Sequence, residues 1–419
     1  MSALGFIAIV VLLLVLRVNL VLILMVGATY AHMVWGGGEI EYFIQDVWSS
    51  MDREAILAVP LFIFVGSIMS RGTIAKRLVA VVIAITRPIP GGLGVATILS
   101  CAVFSAISGS SIVTMLVVGS VLYPALLENG YSKKFAIGAL CAGGTLGIII
   151  PPSIPMIIYG LVTESSITDL FKAGIGPGIL LTSVFSIYAI ALNWRMERKP
   201  FQFSELAASL ADGLPSLMMP VILLGGIYSG YFSATEAAAV AILYAILIDV
   251  IFYRELKFRD YLDLSVDSAK LIGALFPLIA VAVSVNILLV QQRVPQYLIT
   301  FMLENIDSQI AFLFITNFLL LLAGCFLDTA SALAISAPLL KPIAEAYGVN
   351  ATHLGIIMIL NLEIGILTPP LGLNLIVAMT AYRERFGTIC IAAVPFVLLM
   401  LACLILITFQ PWIALALVN

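Results

Sequence analysis

Seven windows of this 419-residue chain contain no Asp, Glu, Lys or Arg: residues 1–16, 88–127, 135–163, 173–194, 213–235, 271–292 and 386–419. A helix needs about 20 apolar residues to cross the hydrocarbon layer of a bilayer, so several of these windows can each hold a crossing. Shorter apolar runs at 55–70 and 310–327 add more. Inside lipid every backbone N–H and C=O must be satisfied within the protein, which leaves helices or closed barrels. Barrel strands alternate in polarity, and these runs are continuously apolar. The expected fold is therefore an all-α polytopic membrane protein, with roughly ten to twelve crossings by the length rule.

The charge content agrees. Only 10% of residues are charged, against about 25% in soluble domains, which excludes a soluble enzyme, a nucleic-acid binder and a disordered scaffold. The net charge of −3 offers no basic surface to a polyanion. Cys101, Cys141, Cys325, Cys390 and Cys403 lie far apart without metal-ligand spacing and read as small buried hydrophobes. No basic stretch precedes the first apolar run and the first charge is Arg17, so the start is expected to be mature protein rather than a cleaved signal. Two basic clusters, Arg195, Arg198 and Lys199, then Arg254, Lys257 and Arg259, are separated by room for two crossings. Positive loops stay inside, which puts both in the cytoplasm. Between them, residues 201–213 read as an amphipathic surface helix with Phe201, Phe203, Leu206 and Leu210 on its greasy side.

The two halves are copies. Residues 147–152 (GIIIPP) match residues 365–370 (GILTPP), an offset of 369 − 151 = 218. The same offset pairs Pro124 with Pro342, Gly130 with Gly348 and Ser110-Ser111 with Asp328-Thr329. Shared prolines and glycines at one fixed offset signal a repeat. The expected layout is a first inverted repeat over 1–200, the amphipathic linker 201–213, and a second inverted repeat over 214–419. Each copy carries a polar tip in an apolar run, Ser108-Gly-Ser-Ser111 and Asp328-Thr-Ala-Ser331, which predicts re-entrant helical hairpins at about 97–127 and 310–346. Each also carries glycines followed by Pro-Pro, which predicts broken helices at about 135–160 and 352–380. Gly and Pro are common in membrane helices, so one break alone says little. Two at matching positions point to the substrate and ion site of a transporter.

The polar groups at the breaks are Ser108, Ser110, Ser111, Thr145, Asp328, Thr329, Ser331, Asn361, Glu363, Thr368 and Asn374. These are hard oxygen donors, suited to an alkali cation rather than a transition metal. Any single Ser or Thr could instead bond the carbonyl one turn back. Asp328 is the intramembrane acid that most needs a cation or proton; Glu363 is similar, though at a helix end it could also face water. Freed helix N-termini favour an organic anion as substrate. His32 and His353 have no carboxylate at metal spacing and read as satisfied or interfacial. Gly91-Gly-Leu-Gly94 reads as a turn between spans, since it lacks the lysine and strand context of a phosphate loop. No nucleotide-binding signature appears, so ion-gradient coupling is the expected fuel, not ATP, and no catalytic residue is assigned.

With these motifs the chain resembles the large membrane subunit, the DctM-like M component, of the tripartite ATP-independent periplasmic (TRAP) transporters. The likeness rests on residues 108–111 (SGSS), 144–155 (GTLGIIIPPSIP), Tyr159-Gly160, 171–178 (FKAGIGPG), 226–230 (GIYSG), 234–240 (ATEAAAV) and 361–370 (NLEIGILTPP) with Gly372-Leu-Asn374. One departure is Ser233-Ala234-Thr235-Glu236, where many members carry a proline before the Thr-Glu. The resemblance implies an elevator-type fold with a scaffold and a transport domain in the bacterial inner membrane. It implies one Na+ near Ser108, Ser110, Ser111, Gly144, Thr145 and Gly147, and another near Asp328, Thr329, Asn361, Gly365 and Thr368. Substrate would lie between the tips, near Ser110, Ser153, Ser331 and Asn374. It also implies two partners, a small four-helix membrane subunit and a periplasmic substrate-binding protein, with a C4-dicarboxylate or related organic acid as cargo. The alternatives are a stand-alone sodium- or proton-coupled dicarboxylate or citrate carrier, a passive channel, and an intramembrane hydrolase built on Asp328. Ser110 at the position matching Asp328 breaks any two-acid dyad for the last.

Overall fold

The computed structural model describes residues 2–418 apart from 17, 19, 38, 39, 72, 73 and 199. Arg17, and Lys199 of the first basic cluster, therefore lie outside the described residues. Among those described, every regular element is a helix. Eight helices are long and apolar enough to cross a membrane, and the pair Ile40–Met51 and Glu54–Ser70, bent by 66°, makes nine. That is fewer than the length rule predicts, because breaks divide the charge-free windows into pieces too short to count. Gly92–Ser108, Ala351–Gly365 and Leu373–Tyr382 are such pieces.

The fold consists of two inverted repeats, and the offset of 218 survives in the backbone. In the first, helix Gly92–Ser108 meets Ser111–Glu128 at a two-residue tip, and Lys133–Ile149 is followed after a break by Ile154–Thr163. In the second, Gln309–Phe326 meets Thr329–Ala346, and Ala351–Gly365 is followed by Leu373–Tyr382. The return arms Ser111–Glu128 and Thr329–Ala346 correspond residue for residue. Gly130 and Gly348 both turn with positive φ, after which Ser132 and Asn350 cap the broken helices through Phe135 N–H and through Thr352 and His353 N–H. Such caps satisfy donors that the helix itself cannot.

The broken helices form the centre of the molecule. Phe135 through Ile149 and His353 through Gly365 are buried on every side, so neither segment is a lipid-facing rod. Cys101, Cys141, Cys325 and Cys403 are buried and Cys390 is half-buried, all as free thiols. Both histidines are buried with partners: His32 Nε2 lies 3.0 Å from Ser284 Oγ and His353 Nε2 2.9 Å from the Ile407 carbonyl.

The linker differs from expectation. Residues 203–213 are not a separate surface helix, because Phe203–Tyr228 is one 26-residue helix that passes through Pro215 and Pro220. Charge pairs tie its N-terminal part, and the segment around Glu255, to Arg77 and Arg87. Arg77 pairs with Asp212 at 3.0 Å and Glu255 at 2.9 Å and lies over the Tyr253 ring, and Arg87 pairs with Glu205. Phe201 and Phe203 remain exposed. Where many members of the resembled family carry a proline, this chain has Ala234, and Ser233 and Glu236 close a reciprocal capping box that starts helix Ala234–Ile248.

Candidate functional site: a cavity between two hairpin tips

The two hairpin tips share a place in the fold but turn by different means. The first uses Gly109 in the left-handed region at φ 58°, a conformation that costs glycine little. The second keeps Leu327 and Asp328 extended, and Asp328 caps its own return arm. Its Oδ1 accepts from Ser331 N–H at 3.0 Å, and Oδ2 accepts from the Ser331 hydroxyl.

Between the tips lies a cavity of about 270 Å³. Its polar lining includes Ser108, Ser110, Ser111, Asp328, Thr329 and Asn374, with apolar side chains such as Ile63, Ile148, Leu271 and Ile366 around them. Four helices begin at its wall, at Ser111, Ile154, Thr329 and Leu373. Each brings the positive end of its dipole to this wall. No lysine or arginine lines it among the described residues.

The first-repeat set comes together closely. An alanine methyl at Gly147 would stand 2.6 Å from the Ser110 carbonyl oxygen, and one at Gly144 2.9 Å from that of Ser111. Both glycines thus let the tip's carbonyls approach the broken helix. Ser108 Oγ bonds Thr114 Oγ1 at 2.6 Å, and Ile154 N–H donates to the Gly109 carbonyl at 3.4 Å, joining tip to break. Thr145 is the exception. Its hydroxyl turns back to the Ala142 carbonyl at 2.6 Å, on the side that faces Met400.

The second-repeat set is looser. Thr329 lines the cavity and donates to Glu363 Oε1 at 2.9 Å. Asn361 lies away from the tip, donating to Asn317 Oδ1 at 2.6 Å and to the Ile357 carbonyl at 2.8 Å. Gly365 packs back to back with Gly324, where a methyl would meet the Gly324 backbone at 2.5 Å. Thr368, just past the helix end, donates back to the Ile364 carbonyl. The second break closes on itself, Asn374 N–H donating to the Ile366 carbonyl at 3.2 Å. Two buried oxygens here have no partner: Asn361 Oδ1 and Glu363 Oε2.

Of the residues expected around substrate, Ser110 and Asn374 line the cavity, and the Asn374 amide bonds Ser111 Oγ across the repeats at 3.1 Å. Ser153 and Ser331 do not. Both are buried, the first capping Met156 N–H and the second bound to Asp328. Of the two readings open for Glu363, an enclosed acid like Asp328 or one facing water at a helix end, the structure has the enclosed one, with 0% exposure. The structure adds Thr114, Gly66, Gly324 and Asn317 to the neighbourhood. Asn317 is visible in the sequence as a lone amide in the apolar run 310–327; the others carry no signal there.

Two inverted repeats that each deliver a polar hairpin tip and a broken helix to one cavity define a secondary-transporter type of membrane protein. Solved structures share this fold. The YdaH transporter of Alcanivorax borkumensis superposes with a TM-score of 0.64 at 15% identity over 92% of this chain and 90% of that one. MtrF of Neisseria gonorrhoeae, described as illuminating a class of antimetabolite efflux pumps, gives 0.60 at 12% identity over 88% and 83%.

The chain belongs to the family described as tripartite ATP-independent periplasmic transporter, DctM component, whose profile matches residues 6–413. It is 38% identical to the C4-dicarboxylate TRAP transporter large permease protein DctM of Pseudomonas aeruginosa, over 89% of this chain and 88% of that protein. It is 32% identical to the ectoine/5-hydroxyectoine TRAP transporter large permease UehC of Ruegeria pomeroyi over 99% and 98%. It is also 36% identical to the isethionate TRAP transporter permease DctMQ of Oleidesulfovibrio alaskensis, covering 92% of this chain but 61% of that longer polypeptide. The protein is thus a multi-pass bacterial inner-membrane transporter component, not an enzyme, of a family that works with a periplasmic binding protein and a small membrane subunit.

Proposed function

We propose that this chain is the permease of a sodium-driven importer for a small organic anion, moving its hairpins and broken helices as a rigid body against the remaining helices. The observation that carries the reading is the cavity between the tips, where four helix N-termini meet hydroxyls and an amide with no basic side chain. Helix N-termini suit a carboxylate or sulfonate. The Asp328 and Thr329 oxygens on the cavity wall, with the carbonyls packed on Gly144 and Gly147, suit a hard monovalent cation. A C4-dicarboxylate is the leading cargo because relatives named for it are 36–38% identical; relatives named for isethionate and ectoine keep other small solutes in the same class. The small subunit, of four helices, would brace the static helices, and the binding protein would deliver the anion from the periplasm.

The test is uptake into proteoliposomes holding this chain with its small subunit. Accumulation should require both an inward sodium gradient and the loaded binding protein. Equal uptake from choline medium would refute sodium coupling, and strong uptake without the binding protein would favour a stand-alone carrier.

A further inference from the structure

Two carboxylates are fully enclosed among the described residues, Asp249 and Glu363. Asp249 is satisfied: it accepts from Glu255 and Leu256 N–H groups at 3.3 Å and from the Tyr261 hydroxyl at 2.8 Å. Glu363 has the Thr329 hydroxyl on one oxygen and nothing on the other. A buried acid with one neutral donor is costly to keep unless something else answers its charge.

The repeat shows that this acid is not a remnant of a shared architecture. At the offset of 218, Glu363 corresponds to Thr145 and Thr329 to Ser111. In the first half Thr145 turns away to Ala142 and Ser111 is engaged by the Asn374 amide. Only the second half places a carboxylate behind the hydroxyl of the first residue of its return arm. That hydroxyl belongs to Thr329, which lines the cavity, while Glu363 does not.

The direction of the bond decides the consequence. The Thr329 hydroxyl donates to Glu363 Oε1, and a hydroxyl that has spent its proton keeps two lone pairs. We propose that Glu363 is the buried counter-charge of a cation site at the second hairpin tip, fixing the Thr329 hydroxyl so that Oγ1 presents only lone pairs to a cation in the cavity. A cation bound there would lie roughly 5 Å from the carboxylate, close enough in a low-dielectric interior to govern affinity. Glu363 is thus a positioning and charge-balancing residue, and Thr329 the ligand. The inference rests on the sodium reading of the cavity.

The test measures binding rather than transport. The full chain, purified with its small subunit in detergent, is unfolded thermally while sodium replaces choline at constant ionic strength. Wild type should gain thermal stability with a saturable sodium dependence; no sodium response at all would overturn the sodium reading and this inference with it. Given that response, Glu363→Gln should raise the half-saturating sodium concentration at least tenfold. Thr329→Val should do the same, Thr329→Ser should match wild type, and the double variant should show no further loss, as expected of two residues acting as one unit. A wild-type half-saturation in Glu363→Gln would overturn the inference while leaving the sodium reading intact. Should Glu363→Gln not fold, an unchanged half-saturation in Thr329→Val overturns it equally.

Discussion

Replacing Gly147 with alanine tests whether the first tip and the first broken helix share an ion site. The added methyl would stand 2.6 Å from the Ser110 carbonyl oxygen and 2.8 Å from Thr114 Oγ1, whereas ordinary contact begins near 3.4 Å. The tip must therefore retreat by about 0.8 Å, and the obstacle is backbone, which cannot swing aside as a long side chain can. Overpacking of this kind costs about 1–3 kcal/mol of stability. A shift of that size also exceeds the roughly 0.2 Å tolerance of ligand distances in a cation shell. Losing one carbonyl ligand should weaken sodium binding at least tenfold, which is about 1.4 kcal/mol. The assay is thermal unfolding with sodium or choline, alongside uptake in proteoliposomes. Gly225→Ala is the control, since its methyl would meet nothing within 4 Å inside helix Phe203–Tyr228 and should stabilise by about 0.5–1 kcal/mol. If Gly147→Ala keeps the wild-type sodium half-saturation and uptake rate, the close approach of tip and broken helix is packing alone and the argument for a first ion site fails.

Other substitutions separate the remaining roles. Asp328→Ala removes both the charge and the helix cap, costing about 1 kcal/mol of stability and abolishing uptake or lowering sodium affinity, whereas Asp328→Asn keeps the cap and isolates the charge; sodium-driven uptake at the wild-type level in both variants would clear Asp328 of any role in the site. Asn374→Ala should weaken organic-anion uptake severalfold at unchanged sodium half-saturation, read from uptake kinetics, because its amide lines the cavity and holds Ser111. Tyr159→Phe leaves the Ala351 carbonyl without its 2.7 Å donor and should lower stability by roughly 1–2 kcal/mol in thermal unfolding, with sodium affinity unaltered. Finally, an organic anion should stabilise the purified protein only when sodium is present; stabilisation of equal size in choline would contradict the charge arrangement described below.

The sequence carried the helices, the repeat and the breaks because these depend on local rules. Absence of charge sets the helices, glycine and Pro-Pro set the breaks, and one numerical offset sets the duplication. It placed Ser110, Ser111, Asp328, Thr329 and Asn374 at the cavity because tips and break ends are where polar residues interrupt apolar runs. It does not show that Thr145, Asn361, Ser153 and Ser331 stand off the cavity wall, because a helical residue's direction is fixed by its neighbours across the interface, such as Met400 and Asn317, and these are remote in sequence. Glu363 illustrates the limit: two residues from the break, its sequence position allows either an enclosed acid or one facing water, and only the packing seals it behind Thr329. The linker reading failed for a related reason. An amphipathic pattern between two basic clusters suggests a separate surface segment, but Arg77 and Arg87 pair with Asp212 and Glu205 while the helix continues through Pro215.

The two halves have kept one backbone and diverged in charge, and that divergence bears on how a cavity with no basic side chain can take an anion. The first tip offers neutral oxygens pressed against Gly144 and Gly147. Both acids at the cavity, Asp328 on its wall and Glu363 behind Thr329, come from the second half. Helix N-termini at Ser111, Ile154, Thr329 and Leu373 attract an anion, but one of them is already occupied by the Asp328 carboxylate. An incoming carboxylate therefore meets like charge from the second half before it meets any lysine or arginine, and like charges within a few ångströms in a poorly screened site repel strongly. Monovalent cations bound at the tips would cancel those two charges and leave the positive dipole ends of the helices to act on the substrate. In this arrangement the anion's affinity depends on the cations, and by linkage the cations' affinity depends equally on the anion, which is the thermodynamic condition for a gradient of one to concentrate the other.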